Sequence, residues 1–560
     1  MKIAKVKKWE DLLGFSAVIL LIILINIHAG NWFFRLDLTE EKRYTISDAS
    51  KQCLTNLDDV VYIEVFLDGE LNASFKRLQK SIRETLEEFR LYGGDRIQFK
   101  FTNPDDAASP AERNQIHKQL MERGLPATTL NETVNGEKKQ KLIFPGAMIS
   151  YRNRELPVLL LKGNKLSTPQ QQINQSVEGV EFELANAIRQ LSIKNKKKIA
   201  FTQGHDELSK KDLIDITTTL EETYLVDHIY LDEVNLTEYD ALLIAHPKKA
   251  FSETEKFLLD QFIMQGGNAL FLIDPIQMNL DSIPIGGTYA FGYDLQLEDL
   301  LFRYGIRLNN NLVQDQQAGL IEVYTGNFGD RPQVQRLPWP YYVFLNKFSE
   351  HPIVRNMDVI YGKFISTLDT VKAAGIRKTP LVFTSKYTKT KTAPTKVDIN
   401  ELKGEMRIRE SYNQSHLPVS YLLEGKFTSL YANQAPPAAL KGRTVISSGQ
   451  SKVLVFADAD FIRNEFDRKT NKPLPIDLDK STQQTLSNKE FILNTLAYMT
   501  EKDGIINARN KQITLRLMDT IKAKEEKSFW QVMNLVLPIL IVIAFAFLYN
   551  FMRKQKYTKY

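Results

Sequence analysis

At 560 residues the chain is too long for a single hydrophobic core, and about 150 residues per domain predicts roughly three domains. Its composition, 43% apolar and 25% charged, is typical of a globular protein. The net charge of +6 gathers largely at the two termini, which argues against a nucleic-acid binder because such a protein needs a concentrated basic face. Cys53 is the one cysteine in the sequence, so an intrachain disulfide is excluded.

An apolar run near the start of the chain predicts a first transmembrane helix over residues 12–31, behind a cytoplasmic tail of residues 1–11. The run at 12–29 reads LLGFSAVILLIILINIHA, close to the roughly 20 residues that span hydrocarbon. A cleaved signal peptide is the alternative. Cleavage requires small residues in an A-x-A-like pattern, and Ala29 supplies only one of them.

A second, uncharged run predicts a transmembrane helix over residues 530–552, after a helical stalk at 506–528 and before a tail of residues 553–560. It reads VMNLVLPILIVIAFAFLYNFM, and its length and basic flank argue against the alternative of a buried core helix. Asn26 in the first run and Asn534 in the second are candidate contacts to a partner, because amides in hydrocarbon seek hydrogen bonds. A headgroup-facing position near the outer end of each run is the alternative.

The residues that flank the two runs predict their orientation. Lysines cluster before the first run and basic residues follow the second, whereas aromatic residues lie on the side of each run that faces the body of the chain. The positive-inside rule then places both termini in the cytoplasm and residues of about 35–528 outside. We therefore expect a two-pass protein of the bacterial inner membrane with a large periplasmic domain.

Residues 35–193 are predicted to form a first α/β domain outside the membrane. Ser47 is a suitable N-cap for the first helix of this domain. Residues 60–67, which read VVYIEVFL, and residues 97–101 are predicted strands, and helical periodicity marks residues 75–92 between them.

Residues 198–505 are predicted to form a second α/β domain. Short, continuously apolar strands such as ALLIA at 241–245 and VLVFA at 453–457 alternate with helices, which indicates a parallel sheet buried on both faces. The region of about 280–440 is irregular and is predicted to be a long insertion with some strands, such as residues 381–384 and 419–423. Within it, the Lys/Thr-rich stretch at 386–396 is expected to be an exposed flexible loop.

Three stretches of the chain resemble auxiliary subunits of ABC transporters. They are DLTEEKRYTIS at 37–47, SVEG running into ELANAI at 176–188, and KIAF followed by GHDE at 198–207. Their order and spacing, across essentially the whole chain, most resemble the gliding-motility family GldG of Bacteroidetes-type gliding bacteria. The resemblance implies a subunit that works with a separate membrane permease and a cytoplasmic ATPase, in gliding motility or secretion.

The middle domain of that family is similar to class I glutamine amidotransferase domains, which carry a nucleophilic cysteine at a strand–helix elbow. The resemblance implies a doubly wound sheet for residues 198–505. The candidate elbow after ALLIA is Ala245-His246-Pro247, which contains no cysteine, and Cys53 lies far upstream in a predicted helix as a small buried hydrophobe. The catalysis of the superfamily is therefore not carried over, and we expect no enzyme activity.

The sequence contains few other candidates for chemistry. The sequence has no GxxxxGK[ST] motif for a P-loop and no histidine pair at a metal-ligand spacing such as HExxH, so neither a cofactor nor a metal is predicted. Polar residues that follow strand ends, where open α/β sheets bind ligands, are candidate ligand or partner contacts. They are His205, Asp206, His246, Asp458 and Asp460. A polar turn for the first two and a helix cap for the two last aspartates are the alternatives.

Three functions fit these patterns. The first is a non-catalytic, membrane-anchored, extracytoplasmic subunit of an ABC transporter, in contact with lipid and a permease. The alternatives are a membrane-anchored hydrolase with a degenerate amidotransferase-like site and a structural cell-envelope protein. The missing nucleophile argues against the hydrolase, and the lack of repeats and low-complexity tethers argues against the envelope protein.

Overall fold

The computed structural model describes residues 14–24, 45–510 and 524–557, apart from short internal gaps. The gaps are residues 135–136, 163–167, 280–281, 284–286, 329–330, 404–408, 468, 481, 483 and 502–503. By internal contacts the chain divides into two compact units, Met1–Lys511 and Gln512–Tyr560.

The helices of the described residues are labelled in chain order. They are Gly14–Leu24 (α1), Asp48–Thr55 (α2), Ala73–Gly93 (α3), Pro110–Glu122 (α4), Pro169–Ser192 (α5), Ile214–Glu221 (α6), Glu253–Met264 (α7), Glu298–Tyr304 (α8), Asn488–Thr500 (α9) and Lys527–Tyr557 (α10).

The strands are labelled in the same way. The first half are Val61–Val65 (β1), Ile97–Phe101 (β2), Thr128–Val134 (β3), Glu137–Ile143 (β4), Gly146–Tyr151 (β5), Arg154–Leu159 (β6), Lys197–Gln203 (β7), Tyr224–Tyr230 (β8), Ala241–Ala245 (β9), Asn268–Leu272 (β10), Ile276–Gln277 (β11), Thr288–Gly292 (β12) and Ile306–Leu308 (β13). The second half are Asn311–Asp315 (β14), Ala318–Phe328 (β15), Arg331–Leu345 (β16), Lys347–Phe348 (β17), Ile360–Lys363 (β18), Leu368–Thr370 (β19), Ile376–Phe383 (β20), Thr388–Thr392 (β21), Thr395–Val397 (β22), Pro418–Thr428 (β23), Ser448–Phe456 (β24), Leu478–Asp479 (β25) and Gln484–Thr485 (β26).

A four-stranded sheet in the order β2-β1-β5-β6 organises the first part of the body. β1 runs parallel to β2 and antiparallel to β5. The apolar side chains of this sheet pack in one core with those of α2, α3 and α5. Ser47 caps α2 as predicted, because its hydroxyl accepts a hydrogen bond from the Ser50 amide at 3.2 Å. Glu181 of α5 ties this cap down, since its carboxylate accepts from the Ser47 amide at 2.6 Å and from the Ser50 hydroxyl at 2.9 Å.

An eight-stranded sheet in the order β17-β20-β23-β24-β10-β9-β7-β8 forms the centre of the body. Its last five strands, from β24 to β8, run parallel to one another. Taken in chain order, these five strands are arranged 2-1-3-4-5, so the direction of winding reverses between β7 and β9.

The parallel strands are buried on both faces, as their apolar sequences predict. On β9, Ala241, Leu243 and Ala245 face one core, whereas Leu242 and Ile244 face the other. α6 and α9 cover the first face, and α7 and α8 cover the second. This half of the body therefore has three layers, the sheet and one layer of helices on each of its faces. The helices close the backbone of the sheet to ligands along both faces.

The prediction of an all-parallel sheet was incomplete, because β23, β20 and β17 extend it beyond β24, and each of them runs antiparallel to the strand before it in the sheet. All three strands lie in the region of about 280–440 that the sequence predicts to be an insertion. An antiparallel strand needs no helical crossover, so the strand–helix alternation that identifies the parallel strands is absent here. The remaining strands of the region form small sheets, β11-β12-β22, β13-β19, β14-β21 and β15-β16-β18.

The prediction of an exposed flexible loop at 386–396 was wrong, because this stretch contains β21 and β22. β21 pairs with β14, and the Thr388 hydroxyl, which is fully buried, donates to Asp315 at 2.8 Å. The TKTKT sequence of β21 alternates β-branched threonine with lysine, which is a strand pattern rather than a loop pattern.

The predicted stalk at 506–528 falls largely outside the described residues. A 3₁₀ helix covers Ile505–Asn510, and α10 begins at Lys527. The division of the body into domains at 35–193 and 198–505 stays a prediction.

A buried carboxylate joins α7 to the end of β23. Asp260 is fully buried and accepts hydrogen bonds from the Tyr304 hydroxyl at 2.9 Å, the Ser429 hydroxyl at 2.5 Å and the Leu430 amide at 2.9 Å. A buried charge is stable only when such donors surround it. Asp260 therefore holds one helical layer against the antiparallel extension of the sheet.

We expect Asp260→Ala to lower the free energy of unfolding by about 3 kcal/mol, because it leaves buried donors unpaired. Chemical denaturation of the full chain in detergent measures the change. Asp232→Ala, at an exposed aspartate, is the control and should change the free energy by less than about 0.5 kcal/mol. Equal values for the two variants would contradict the role assigned to Asp260.

A second buried group makes the stability of this fold depend on pH. Burial is the main reason that the pKa of His351 is lowered to about 4; the charge of Glu424 opposes this shift, and the Arg377 and Lys452 cations add to it. The neutral ring accepts a hydrogen bond from the Ile353 amide at 3.3 Å.

We expect the stability contributed by His351 to fall as the pH drops from about 6.5 to about 4. Across this window the unfolded chain binds a proton that the folded chain does not, and the equilibrium shifts toward the unfolded state. His351→Gln should flatten the curve of unfolding free energy against pH, compared with the unmodified chain and normalised at pH 7.5. Parallel curves for the two proteins would refute the assignment.

Candidate functional site

Polar side chains gather where the parallel strands end. His205 follows β7, His246 follows β9, Asp274 follows β10, and Asp458 and Asp460 follow β24. The carboxyl ends of parallel strands meet at one edge of a sheet. The ends of β7 and β9 also flank the point where the winding reverses, which is where open α/β sheets bind ligands.

One cluster at this edge consists of His246, Asp274 and Asp460. The Nδ1 atom of His246 lies 2.7 Å from Oδ2 of Asp274 and 3.7 Å from Oδ1 of Asp460. His246 and Asp274 are 8% and 6% exposed, and the side chain of Asp460 is 13% exposed. The structure thus brings together two of the predicted residues, His246 and Asp460, with a third that was not predicted.

The backbone of His246 is held in the left-handed region, at φ = 57°. Its amide still donates to the Leu272 carbonyl at 2.9 Å, so the turn begins directly at the end of β9. A non-glycine residue adopts this left-handed conformation at a cost of order 1 kcal/mol, and residues strained in this way cluster at functional sites. The turn brings the imidazole to the ends of β10 and β24.

Asp458 lies behind the cluster and shapes the turn that carries Asp460. It is fully buried, its Oδ1 accepts from the Asp460 amide at 2.8 Å, and its Oδ2 accepts from the Lys363 amide at 3.0 Å. The predicted alternative of a helix cap fits neither aspartate, because the short 3₁₀ helix Asp460–Ile462 has no side-chain cap bond. Asp458 orders the turn instead, and the side chain of Asp460 joins the cluster.

The cluster concentrates negative charge in a buried place. Burial raises the pKa of Asp274 and of Asp458, and repulsion from Asp460 adds to both shifts. Burial alone would lower the pKa of His246, but the attraction of Asp274 and Asp460 outweighs it and leaves that pKa raised. These carboxylates share one imidazole, and the edge therefore favours cations.

His205 belongs to a separate group, beside the cluster. Its Nδ1 lies 3.3 Å from Glu207 and its Nε2 lies 3.2 Å from Glu255, while its ring stacks on Phe251 at 3.6 Å. Both ring nitrogens thus have carboxylate partners within the fold. The His205 carbonyl accepts from the Lys248 amide at 2.7 Å, which fixes the loop after His246. This geometry favours a structural role for His205.

The other predicted contacts lie apart from the cluster. Asp206 is exposed and pairs with Lys249 at 2.9 Å. Asn534 is exposed on α10, and Asn26 lies outside the described residues. Cys53 of α2 is partly rather than fully buried and packs against the core of the first sheet.

Asp274 was not among the predicted residues, which follow β7, β9 and β24 but not β10. The signal was present, since Asp274 comes two residues after β10, and Asp458 likewise comes two residues after β24. No sequence motif with a fixed spacing could predict the cluster, because its three residues lie far apart along the chain. Only the parallel order of β9, β10 and β24 brings them together.

A cleft of about 500 Å³ lies between α5 and α9, away from the cluster. Three of its charged side chains pair with one another or with a neighbour. Lys162 lies 3.6 Å from Glu183 and 3.4 Å from Glu490, and Glu490 lies 3.0 Å from Arg509. These ion pairs bridge α5 and α9, which favours a structural role for the cleft.

Comparison with known proteins places the chain in a family. Residues 196–495 match the family described as an ABC-type uncharacterized transport system, and residues 40–150 match a domain of unknown function, DUF7088. An uncharacterized protein of Borreliella burgdorferi (strain ATCC 35210 / DSM 4680 / CIP 102532 / B31) is 21% identical over 569 residues, which covers 98% of this chain and 99% of that protein.

Two solved structures show weak likeness. The mmIFT52 N-terminal domain is 13% identical, with 55% of this chain and 99% of that domain covered at a TM-score of 0.32. The exo-beta-1,4-mannosidase Op5Man5 from Opitutaceae bacterium strain TAV5 is 10% identical, with 51% and 34% covered at a TM-score of 0.21. Neither score supports a conclusion about the fold. The match over 196–495 spans more than half of the chain, and the protein therefore belongs to the ABC-type transport auxiliary family.

Proposed function

We propose that the chain is a non-catalytic, membrane-anchored subunit of an ABC transporter complex, with its α/β body outside the cytoplasmic membrane. A separate permease and a separate ATPase are its partners, because the sequence has no P-loop motif of its own. The observation that carries the proposal is the occurrence of α10 in a chain of this family. Lys527–Gln555, a stretch of 29 residues, is long and apolar enough to cross a membrane.

The surface of α10 supports a position in lipid. Leu535, Phe545 and Phe547 are 67%, 69% and 74% exposed, and the apolar stretch has no buried part. At 1.5 Å per residue the helix is about 45 Å long, which exceeds the roughly 30 Å of hydrocarbon in a bilayer. Lipid tails or another membrane helix must cover these side chains.

The proposal includes a second span and a two-pass topology. The described part of the first apolar run is α1, which is shorter than a spanning helix. The whole run at 12–29 has the required length, and the basic residues at 1–11 and 553–560 support cytoplasmic positions for both termini.

The absence of catalysis is also part of the proposal. The parallel order 2-1-3-4-5 supports a relationship with doubly wound, amidotransferase-like domains. In that relationship the elbow after β9 would carry the nucleophile, and here it carries His246. Cys53 lies in α2, against a different core. The gliding or secretion role follows from the resemblance to the GldG family.

We expect the tagged full chain, extracted from its host in mild detergent, to copurify with a polytopic membrane protein and a P-loop ATPase. Mass spectrometry of the eluate identifies both. An unrelated two-pass membrane protein with the same tag is the control for nonspecific recovery. Recovery of neither partner above that control would refute the transporter assignment.

Asn534 and Asn550 test where α10 meets the permease. Both amides are exposed on α10 and lie about 160° apart around it at about 100° per residue. We expect Asn534→Leu to reduce the permease recovered per chain, because an amide in hydrocarbon binds a partner helix. Asn550→Leu, near the basic end, is the matched control. Equal recovery from both variants would show that Asn534 is incidental and that the body holds the complex.

We expect a protease added to spheroplasts to digest the body while cytoplasmic tags on both termini survive. The intact inner membrane protects both ends because the positive charges that flank the spans stay inside. Immunoblots for the two tags, with and without detergent lysis, provide the measurement. Loss of either tag in unlysed spheroplasts would exclude the two-pass topology.

A further inference from the structure

The contact between His246 and Asp274 is close but is not a hydrogen bond. The Nδ1 atom of His246 is shielded from solvent and has no hydrogen-bond partner, although Oδ2 of Asp274 lies 2.7 Å away. The distance is short and the angle is wrong for N–H donation. Two ligands of one ion have this relation, because each points at the ion rather than at the other ligand.

We propose that His246, Asp274 and Asp460 bind one divalent transition-metal ion at the carboxyl edge of the central sheet. Their three ligand atoms, one imidazole nitrogen and two carboxylate oxygens, all lie within 4.8 Å of one another. This site replaces the expectation from sequence that the chain holds no metal. It is independent of the proposed transporter role, because it concerns the chain alone.

The distances suit a single ion after a small adjustment. Bonds of about 2.1 Å allow two ligand atoms of one ion to stand up to about 4.2 Å apart. The distances of 2.7 Å and 3.7 Å from His246 are within that limit, and no pair of ligand atoms is more than 4.8 Å apart, so the largest adjustment required is about 0.6 Å. Asp460 is the most exposed of the three, and its carboxylate has the most room to move inward.

The surroundings orient the ligands. The Ala459 amide donates to Oδ2 of Asp274 at 3.2 Å, which holds that carboxylate in the site. Asp458 has both oxygens occupied by backbone amides, so it is a positioning residue for the turn rather than a fourth ligand. Partners of this kind contribute to affinity as the ligands themselves do.

A bound cation would offset the negative charge of the carboxylates that the fold holds close together in a buried place. Asp274 and Asp460 meet at one imidazole with the buried Asp458 close behind them, and the cation that pairs with Asp460 is Arg463, at 3.5 Å. Arg463 is 41% exposed and also faces Asp212 at 3.6 Å, so it shields the outer side of the site weakly. A divalent cation at the centre compensates the buried carboxylates directly.

The ligand set identifies the class of metal. One imidazole with two carboxylates suits Zn²⁺ or Mn²⁺ better than Ca²⁺ or Mg²⁺, which prefer oxygen ligands alone. Three protein ligands leave at least one coordination position for water or for a donor group from a ligand. His246 itself follows β9, one of the two strands between which the winding of the sheet reverses.

Metal content of the full chain tests the proposal. The protein, purified in detergent without a polyhistidine tag, is stripped with a chelator, dialysed against Zn²⁺ or Mn²⁺, desalted and analysed by mass spectrometry of its metal. We expect about one equivalent in the unmodified chain. His246→Gln and Asp460→Asn should weaken binding at least about a hundredfold, whereas Asp460→Glu should retain it.

His117→Gln is the matched control. His117 is also 8% exposed and pairs with Asp105 at 3.1 Å, but the pair is completed by Lys141 rather than by a second carboxylate. The His117→Gln variant should bind metal as the unmodified chain does. A stripped chain that takes up no more Zn²⁺ or Mn²⁺ than a metal-free control protein overturns the proposal, and so does unchanged uptake in both His246→Gln and Asp460→Asn.

A thermal readout covers variants that fold poorly. Metal should raise the midpoint of thermal unfolding of the unmodified chain and of His117→Gln, because the ion binds only the folded state. The same addition should leave Asp460→Asn unchanged. A variant that no longer binds metal but still copurifies with the permease would show that the metal site and the transporter assignment are independent. The transporter assignment is tested by copurification alone.

Discussion

The burial of β9, β10 and β24 on both faces is the constraint on which the rest of this body depends. Helices cover each side of the sheet, and the side chains of β9 alternate between two cores. Polar groups can therefore reach solvent only where the strands end. Every polar residue singled out at this edge, from His205 to Asp460, follows from that restriction, and so does the meeting of residues from distant parts of the chain.

Much of this fold could be predicted from sequence because parallel strands carry a strong signal. ALLIA at 241–245 coincides with β9, and VLVFA at 453–457 falls on the end of β24. The antiparallel strands β20 and β23 were assigned to an insertion instead. A strand with no crossover helix lacks the strand–helix alternation that marks the parallel strands, and its place in a sheet depends on a partner that the sequence does not reveal.

The candidate site was predictable residue by residue but not as a cluster. His246 and Asp460 were identified from their positions after apolar strands, whereas Asp274 was overlooked although it stands in the same position. The side-chain partners of His205, which favour a structural role, depend on the placement of α7 and could not be predicted. The tertiary order of strands decides which polar residues meet, and strand order is a property of the whole chain.

The pairing of β10 with β24 also has a consequence for biogenesis. Ala269 pairs with Val453, so the strands that flank the site are neighbours in the sheet and far apart along the chain. As the chain emerges into the compartment where it folds, the edge of β10 that faces β24 has no partner until β24 follows, after the whole region from β11 to β23. An apolar, unpaired edge of this kind is prone to aggregation, and α10 is made only afterwards. The nascent body thus depends on rapid closure of its central sheet, or on a chaperone that covers β10 in the meantime.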